Sequence, residues 1–483
     1  MNNNVVIGLE IHAQLKTNTK MFCGCRTSFG DKPNSNVCPV CMALPGSLPV
    51  ANKKAVTYTV MSGLALNCTI SRYSKFDRKQ YFYPDMPKNY QISQYDLPFC
   101  RNGYLEFFCD DELRKVRIHR IHLEEDTGKL IHTGDIMESE QSMVDYNRAG
   151  TPLMEIVTEP DISSPKEARL FMFELRNLLR YLDVSDGNME EGSMRCDANI
   201  SLKNPDGTLG TKVEIKNMNS LKSLEKALEF EINRQSHVIS SGGIIIQETR
   251  HFDERDSTTH SLRTKEEAHD YRYFPEPDLL PVVITDEEVM SISCNLPELP
   301  LKKYFRFIEE LGIGKNDAST LIFDLKLANF FDECVKCKCS PKEAVKWILG
   351  DLTYFWNEKK IEPDSNVFTP LYLKEILDLI DEKIISIRQA KEVVEKVFEM
   401  IESPRNIIEK LGIKQISDEG FLIDTAKRIV EENPKAVQDF LKGKKNAVGF
   451  LVGQLMRETK GKASPEMSNK IINEILNELS PKE

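Results

Sequence analysis

The character of the chain changes at one proline-containing segment, residues 296–300, and this change restricts the possible folds more than any other feature. Before it, short stretches alternate apolar and polar residues between Gly, Pro, Asn and Asp, which is typical of β-strands. After it, apolar residues recur mostly at helical spacing. A chain of 483 residues is also too long for one ordinary core. We therefore predict an α+β protein in which a β-rich body precedes an all-α part.

The predicted elements divide the chain into three domains. The body is expected to contain one helix, starting at Ser164-Pro165, and Ser340-Pro341 and Asn433-Pro434 start later helices. A softer boundary falls at residues 403–412. The expected domains are a β-rich body (1–295), a helical domain (296–410) and a small helical tail (411–483). Five stretches of the body are predicted strands: 5–12, 116–125, 153–157, 195–202 and 212–216.

Charge and composition exclude several protein classes. A net charge of −11 argues against a protein that coats nucleic acid non-specifically, although local basic patches remain able to bind RNA. Apolar runs of the roughly 20 residues needed to cross a bilayer are missing, as is a secretory signal pattern. The expectation is a cytoplasmic protein whose partners include neither a membrane nor DNA. Twelve cysteines are then expected to be buried thiols or metal ligands.

Several predicted strands carry an acid. A lone acid on a strand is more often simply solvated, but a buried carboxylate such as Glu155, in an otherwise apolar strand, needs a cation or hydrogen-bond donors. Oxygen ligands with one imidazole suit a hard ion such as Mg²⁺. The sequence therefore favours a shared cation site. The strands supply Glu10 with His12, the run Glu124-Glu125-Asp126, Glu155, Asp197 and Glu214.

Two cysteine pairs, Cys23/Cys25 and Cys38/Cys41, are spaced as in a zinc knuckle, although the first pair is Cys-x-Cys and not the commoner Cys-x-x-Cys. Four thiolates leave no open position on zinc, so the role would be structural; four buried free thiols are the alternative. A second group, Cys334, Cys337 and Cys339, lacks an obvious fourth ligand, and we interpret it as structural.

Aromatic and basic residues are interleaved at 75–94 and again at 270–278. Aromatic rings beside cationic side chains suit the bases and phosphates of RNA. A proline-terminated strand with packed aromatic rings is an equally common explanation. The density of Tyr, Lys, Arg and Gln favours a ligand-facing surface.

Long motifs distributed from end to end resemble the B subunit of the aspartyl/glutamyl-tRNA amidotransferases. They include Val6-Ile7-Gly8-Leu9-Glu10-Ile11-His12 and Asp145-Tyr146-Asn147-Arg148-Ala149-Gly150-Thr151-Pro152. The other motifs are residues 75–79, 81–85, 122–126, 191–199, 214–217, 270–278 and 449–454.

The resemblance implies a cradle-shaped catalytic domain, a helical domain and a small tail. It implies that ATP and Mg²⁺ are used to phosphorylate the side-chain carboxylate of Glu-tRNA(Gln) and/or Asp-tRNA(Asn). Ammonia from an amidase (glutaminase) A subunit then displaces the phosphate, and a small C subunit completes a heterotrimer. The chain itself lacks a P-loop and a Gly-x-Ser-x-Gly nucleophile elbow, so the nucleotide site is of another type and the ammonia source is a partner.

The resemblance also implies roles for single residues. It places His12, Glu125 and Glu155 on Mg²⁺, and the four cysteines of the knuckle on structural zinc. Glu10, Asp197 and Glu214 match acids of the catalytic pocket or the ammonia route. Lys79, Tyr81 and Arg148, which lie in the shared motifs, are expected to bind the cofactor.

Two other functions compete with this prediction. The first is a tRNA-binding scaffold whose carboxylates are only structural. The second is a zinc-dependent hydrolase, which a closed four-thiolate shell and the missing His-Glu-x-x-His motif disfavour. The tail is expected to bind tRNA through a basic group, although such a run is often only a solvated helix face. This group comprises Lys442, Lys444, Lys445, Arg457, Lys460 and Lys462.

Overall fold

The computed structural model describes residues 4–132, 142–264, 271–412, 419–441, 446–459, 463 and 465–479. The chain divides into two compact units, Met1–Leu301 and Lys302–Glu483. The first is built on a large sheet and the second is helical, so the predicted α+β class, a β-rich body followed by helices, is confirmed.

A nine-stranded sheet forms the centre of the first unit, in the order β14-β13-β12-β11-β1-β10-β7-β6-β2. Its neighbours pair antiparallel except β12 and β13, which are parallel. The large-sheet strands are β1 (Val5–Gln14), β2 (Thr69–Ile70), β6 (Cys100–Cys109), β7 (Glu112–Glu125), β10 (Pro152–Thr158), β11 (Met194–Leu202), β12 (Val213–Met218), β13 (Glu248–Asp253) and β14 (Thr258–Thr264). Small sheets contain β3 (Tyr73–Ser74), β4 (Asp77–Gln80), β5 (Tyr90–Ser93), β8 (Lys129–His132), β9 (Ser142–Asp145), β15 (Phe274–Pro275) and β16 (Val282–Val283).

The first unit contains more helix than the sequence predicted. The expected helix is present as α2 (Pro165–Tyr181), capped by the side chain of Ser164. The prediction of a single helix is wrong, because α1 (Lys53–Ala65) and α3 (Leu221–Ser240) also lie within the body, and α4 (Asp286–Cys294) follows β16. The stretch Ala55–Val60 of α1 is rich in β-branched and aromatic residues, so tertiary packing overrides its strand propensity.

The large sheet buries one face of β1 and leaves the other for polar side chains. Ile7, Leu9 and Ile11 are fully buried in a core that also contains Phe171 of α2 and Leu228 of α3. Alternate side chains of a strand point to opposite faces. The residues between them on β1 therefore project from the face that is not packed against this core.

The named elements of the second unit are all helices. No described helix of the chain is long and apolar enough to span a membrane. The last helices have a core of their own that includes Leu422, Leu451 and Ile472; the boundary at residue 410 stays a prediction. The elements are α5 (Pro300–Glu309), α6 (Lys315–Ile322), α7 (Leu325–Lys336), α8 (Pro341–Trp347), a π-helical turn (Ile348–Leu352), α9 (Thr353–Lys359), α10 (Pro370–Asp381), α11 (Ile387–Met400), α12 (Pro404–Leu411), α13 (Glu419–Glu432), α14 (Pro434–Leu441), α15 (Asn446–Glu458) and α16 (Pro465–Glu478).

Candidate functional site

The register of three adjacent strands places two histidines around one glutamate. His12 of β1 is the direct partner of Glu155 on β10, which is in turn the direct partner of His122 on β7. Directly opposed residues of antiparallel strands project from the same face. The Nε2 atoms of His12 and His122 lie 3.3 Å and 3.2 Å from Glu155 Oε2.

Glu124, two residues beyond His122 on the same strand, completes this cluster. Its carboxylate lies 4.0 Å from His12 Nε2 and 3.6 Å from His122 Nε2. Burial lowers the pKa of His122, but Glu155 and Glu124 more than offset this and raise it to about 9. Burial likewise opposes the ionised form of Glu155, yet the two histidines hold its pKa well below the usual value. The cluster is thus strongly polarised although it is almost enclosed.

The donor set of this cluster fits a hard divalent cation. One ligand atom each from His12, Glu124 and Glu155 lies within 4.8 Å of the others. Two carboxylates with one imidazole match the ligands that Mg²⁺ accepts. The buried Nδ1 of His122 has no hydrogen-bond partner among the described residues. A site of this kind is therefore able to hold a metal beside the sheet.

Glu125 lies elsewhere. Strand alternation turns its side chain away from that of Glu124, and it accepts hydrogen bonds from Lys88 Nζ and, at 2.9 Å, from the backbone N–H of Ile92. The structure therefore brings Glu124, and not Glu125, to His12 and Glu155. A metal-binding role for Glu125 stays a prediction that these contacts do not favour.

The acids expected in the catalytic pocket form a row on β1, β11 and β12. Glu10 pairs directly with Asp197 and accepts a hydrogen bond of 2.9 Å from Asn199 Nδ2, and Asn199 pairs with Glu214. Lys216 joins the row, with its Nζ 2.5 Å from Asp197 and 3.4 Å from Glu214. Burial lowers the pKa of Lys216, but the two carboxylates raise it above the usual value. The lysine is therefore a permanent cation within the acidic row.

A cavity of about 470 Å³ opens over this polar face. All three residues expected to bind a cofactor line it: Lys79, Tyr81 and Arg148. Arg148 is fixed by hydrogen bonds of 2.9 Å from Nε to the Thr127 carbonyl oxygen and 2.7 Å from Nη2 to that of Gly128. The other charged lining residues are His12, Asp85, Glu124, Asp126, Arg195, Asp197 and Lys216.

The aromatic–basic loops meet at the same cavity. Lys79 Nζ lies 4.8 Å from the ring centroid of Tyr271, which also lines the cavity, and Tyr273 stacks on Tyr95 at 4.5 Å. Burial disfavours the charged form of Lys79, but nearby groups raise its pKa above the usual value, and the charge of Glu124 contributes most to this increase. Asp270, the first residue of the second loop motif, lies outside the described residues.

The four cysteines of the predicted knuckle also come together, with their Sγ atoms within 4.8 Å of one another. Lys20, which is fully buried, donates to Cys41 Sγ at 3.7 Å and to the Tyr146 carbonyl oxygen at 3.1 Å. A hydrogen bond from Cys23 outweighs burial and, with Lys20, lowers the pKa of Cys41 to about 4. Clustered thiols with a thiolate-favouring cation suit a tetrahedral zinc site.

This cysteine module is bonded to the loop that carries Arg148. The backbone N–H of Asn34 donates to Asp145 Oδ1 at 2.9 Å, and that of Asn36 donates to Asn147 Oδ1 at 2.8 Å. Met21 N–H donates to the Gly150 carbonyl oxygen at 2.7 Å. The module therefore supports one wall of the cavity.

The expected site residues left out four members of these clusters, His122, Lys216, Arg195 and Lys20, and Glu124 was expected only as part of the run Glu124-Glu125-Asp126. Alternation within 195–202 and 212–216 already placed Arg195 and Lys216 on the same faces as Asp197 and Glu214, and that signal was sufficient to find them. Lys20 had no signal, because only the folded chain brings it to Cys41. Of the basic group in the tail, Arg457 is exposed on α15, and the five lysines lie outside the described residues.

Comparison with known proteins identifies the family. Residues 5–290 match the model of the GatB/GatE catalytic domain, and residues 329–476 match that of the GatB domain. The B subunit of the aspartyl/glutamyl-tRNA(Asn/Gln) amidotransferase of Caldanaerobacter subterraneus subsp. tengcongensis is 52% identical over 99% of this chain and 100% of its own length. The chain belongs to the family of B subunits of the aspartyl/glutamyl-tRNA amidotransferases. This confirms the predicted resemblance.

The similarity to other B subunits is equally extensive. Those of Thermodesulfovibrio yellowstonii and Clostridium tetani are 51% and 50% identical, and each alignment covers 98% or more of both chains. As a member of the family, the chain is one component of a multi-subunit tRNA amidotransferase. The catalytic-domain match contains the His12–Glu124–Glu155 cluster, the cavity and the cysteine module.

Proposed function

We propose that this protein uses ATP to phosphorylate the side-chain carboxylate of Glu-tRNA(Gln) and/or Asp-tRNA(Asn), and that ammonia then converts the acyl phosphate to the amide. The ammonia comes from an amidase (glutaminase) A subunit, and a small C subunit completes the complex. A carboxylate is a poor electrophile because its oxygen is a poor leaving group. Transfer of a phosphoryl group to that oxygen makes it a good one.

One observation carries the proposal: a polarised His–Glu–Glu cluster borders a cavity that is also lined by Lys79, Arg148 and Arg195. Phosphoryl transfer depends on positioning and charge neutralisation more than on covalent help from the protein. His12, Glu124 and Glu155 would hold Mg²⁺, which would neutralise phosphate charge when bound. The three cations orient the anionic groups of ATP and of the aminoacyl end.

The acidic row acts in the second half of the reaction. Attack by ammonia on the acyl phosphate expels phosphate, and the attacking nitrogen must lose a proton. Asp197 lines the cavity and is held by Lys216, so it is placed to accept that proton. Glu10 and Glu214 keep the neighbouring surface polar along the approach of ammonia. The four cysteines bind a structural zinc ion, and the tail contacts tRNA.

The test is the variant Glu155→Gln in the assembled complex, with Glu159→Gln as the matched control just beyond the end of the same strand. Loss of a charge that orders the cluster is expected to reduce ATP-dependent amidation at least about 100-fold. Glutaminase activity should change little, whereas the melting temperature should fall, because the substitution removes a buried charge that pairs with two histidines. Glu159→Gln should amidate like the parent complex.

The same experiment separates the proposal from a non-catalytic scaffold. If Glu155→Gln amidates at the parent rate while it remains folded, the carboxylates are structural and the phosphorylation site lies elsewhere. Binding of Glu-tRNA(Gln) is measured in parallel, because a scaffold would lose activity only together with tRNA affinity.

A further inference from the structure

The end of α7 brings two cysteines together that the amidotransferase site does not use. The backbone N–H of Cys339 donates to the Cys334 carbonyl oxygen at 3.0 Å, and that of Lys338 donates to the Val335 carbonyl oxygen at 2.9 Å. Lys338 has a φ of 65°. These features define a Schellman turn, in which the first and last residues usually make an apolar contact. Here that contact is made by two thiols.

The turn geometry is compatible with a disulfide. A backbone hydrogen bond of 3.0 Å between Cys339 and Cys334, together with standard bond lengths, keeps their α-carbons within about 7 Å. Disulfides require α-carbons no farther apart than this. The two thiols also share a side-chain hydrogen bond, so each already faces the other. Bridging them requires the two sulfurs to approach from hydrogen-bonding to covalent distance.

The two sulfurs differ in their access to small molecules. Cys339 lines a cavity of about 470 Å³ beside α8 and α10, and Lys374 lines the same cavity. Cys334 has no exposed surface. The hydrogen bond from Cys334 outweighs burial and, with the charge of Lys374, holds the pKa of Cys339 below its usual value. A thiolate that adjoins a cavity is the nucleophile, and its enclosed neighbour is the resolving thiol.

We propose that Cys334 and Cys339 form a redox-active dithiol that hydrogen peroxide oxidises to a disulfide. Cys339 Sγ attacks one peroxide oxygen, the O–O bond breaks, and hydroxide leaves and is protonated to water. The resulting sulfenic acid is attacked by Cys334, whose thiol proton leaves with the sulfenic oxygen as a second water. Two thiols are oxidised and one peroxide is reduced to two waters. The product links the end of α7 to the residue before the α8 cap.

The experiment treats the reduced full-length chain with hydrogen peroxide, quenches it with an alkylating agent and maps the cysteine peptides by mass spectrometry. The peptide that contains Cys334 and Cys339 should lose about 2 Da and resist alkylation. It should do so at least about tenfold faster than the buried thiols of Cys100 and Cys196 are modified. Reduction with dithiothreitol should restore both thiols.

Three variants test the role of each cysteine in this turn. Cys337→Ser is the matched control in the same turn, and it should form the disulfide at the parent rate. Cys334→Ser should instead accumulate a sulfenic acid on Cys339 that reacts with dimedone, and Cys339→Ser should lose the rapid reaction. A disulfide that involves Cys337, equal behaviour of the Cys334 and Cys339 variants, or oxidation no faster than at Cys100 would overturn the proposal.

Discussion

Lys216 gives the sharpest test of how the polar face is stabilised, because it is the cation that contacts two acids of the row. Its Nζ lies 2.5 Å from Asp197 and 3.4 Å from Glu214, and the three side chains are 36%, 17% and 8% exposed. Lys216→Met keeps the aliphatic length but removes the charge. Asp197 and Glu214 then face each other without that cation.

The free energy of unfolding that Lys216→Met should lose lies between two limits. Breaking a buried ion pair costs about 3–5 kcal/mol, whereas an exposed pair contributes about 0–1 kcal/mol. The acids are nearly buried but the lysine is about one-third exposed, so we expect a loss of about 2 kcal/mol in the free energy of unfolding. For a unit of this size that corresponds to a melting temperature lowered by roughly 4 °C.

The assay is urea and thermal unfolding of the parent chain, Lys216→Met, Lys216→Arg and the control Lys212→Met, which alters an exposed lysine just before β12. The folded-state pKa of Lys216 is raised, so its stabilisation is complete below the unfolded lysine pKa and is lost only as the pH rises through the higher folded value. The loss should therefore be constant from about pH 6 to about pH 9. Lys216→Arg should retain most of the stability that Lys216→Met loses, because it keeps the positive charge. If Lys216→Met is as stable as Lys212→Met, the row is stabilised by something other than this charge.

Three further outcomes are expected. The chain purified without chelator should contain about one zinc per molecule, and Cys38→Ser should lose it and melt at a lower temperature; full stability without metal would contradict the assignment. Burial raises the pKa of Glu174, on α2, from 4.5 to about 7, which destabilises the fold progressively between those pH values. Glu174→Gln should therefore raise the free energy of unfolding by about 2 kcal/mol at about pH 8, a value already reduced because the side chain is partly exposed. At about pH 4 it should have no effect, and unfolding measured at both pH values tests this. Deletion from residue 411 onward should weaken tRNA binding and flatten its salt dependence while glutamine hydrolysis persists; equal affinities and salt slopes would show that the tail faces only water.

Alternation along single strands predicted much of the site, because the face from which a side chain projects depends only on its position within its own strand. It placed Glu10 with His12 and separated Asp197 from its apolar neighbours, and the structure has both arrangements. It also required Glu124 and Glu125 to point to opposite faces. Choosing the face that meets His12 and Glu155 needs the register between β7 and β10, which single-strand patterns do not contain.

Of the helices in the body, α2 was predicted, whereas α1 and α3 were missed for two different reasons. The α3 helix had visible signals, with Ser220 as its cap and Leu224 and Leu228 on one face, so its omission was an error of interpretation. The α1 helix had a cap signal at Asn52, but the sequence that follows it favours strand. Its packing against the sheet, seen in the burial of Ala55 and Val60, adds to this cap and overrides the strand propensity.

The position of β1 has a consequence for how such chains are able to diverge. Nine of its residues pair with β11, and residues 10–13 also pair with β10, so the part of β1 that carries His12 is constrained from two sides. An inserted or deleted residue in β1 would exchange its two faces, exposing Ile11 to the cavity and directing His12 into the core. Descendants of this sequence are therefore free to vary the lengths of connecting loops, whereas β1 tolerates only replacement of one side chain by another at fixed length.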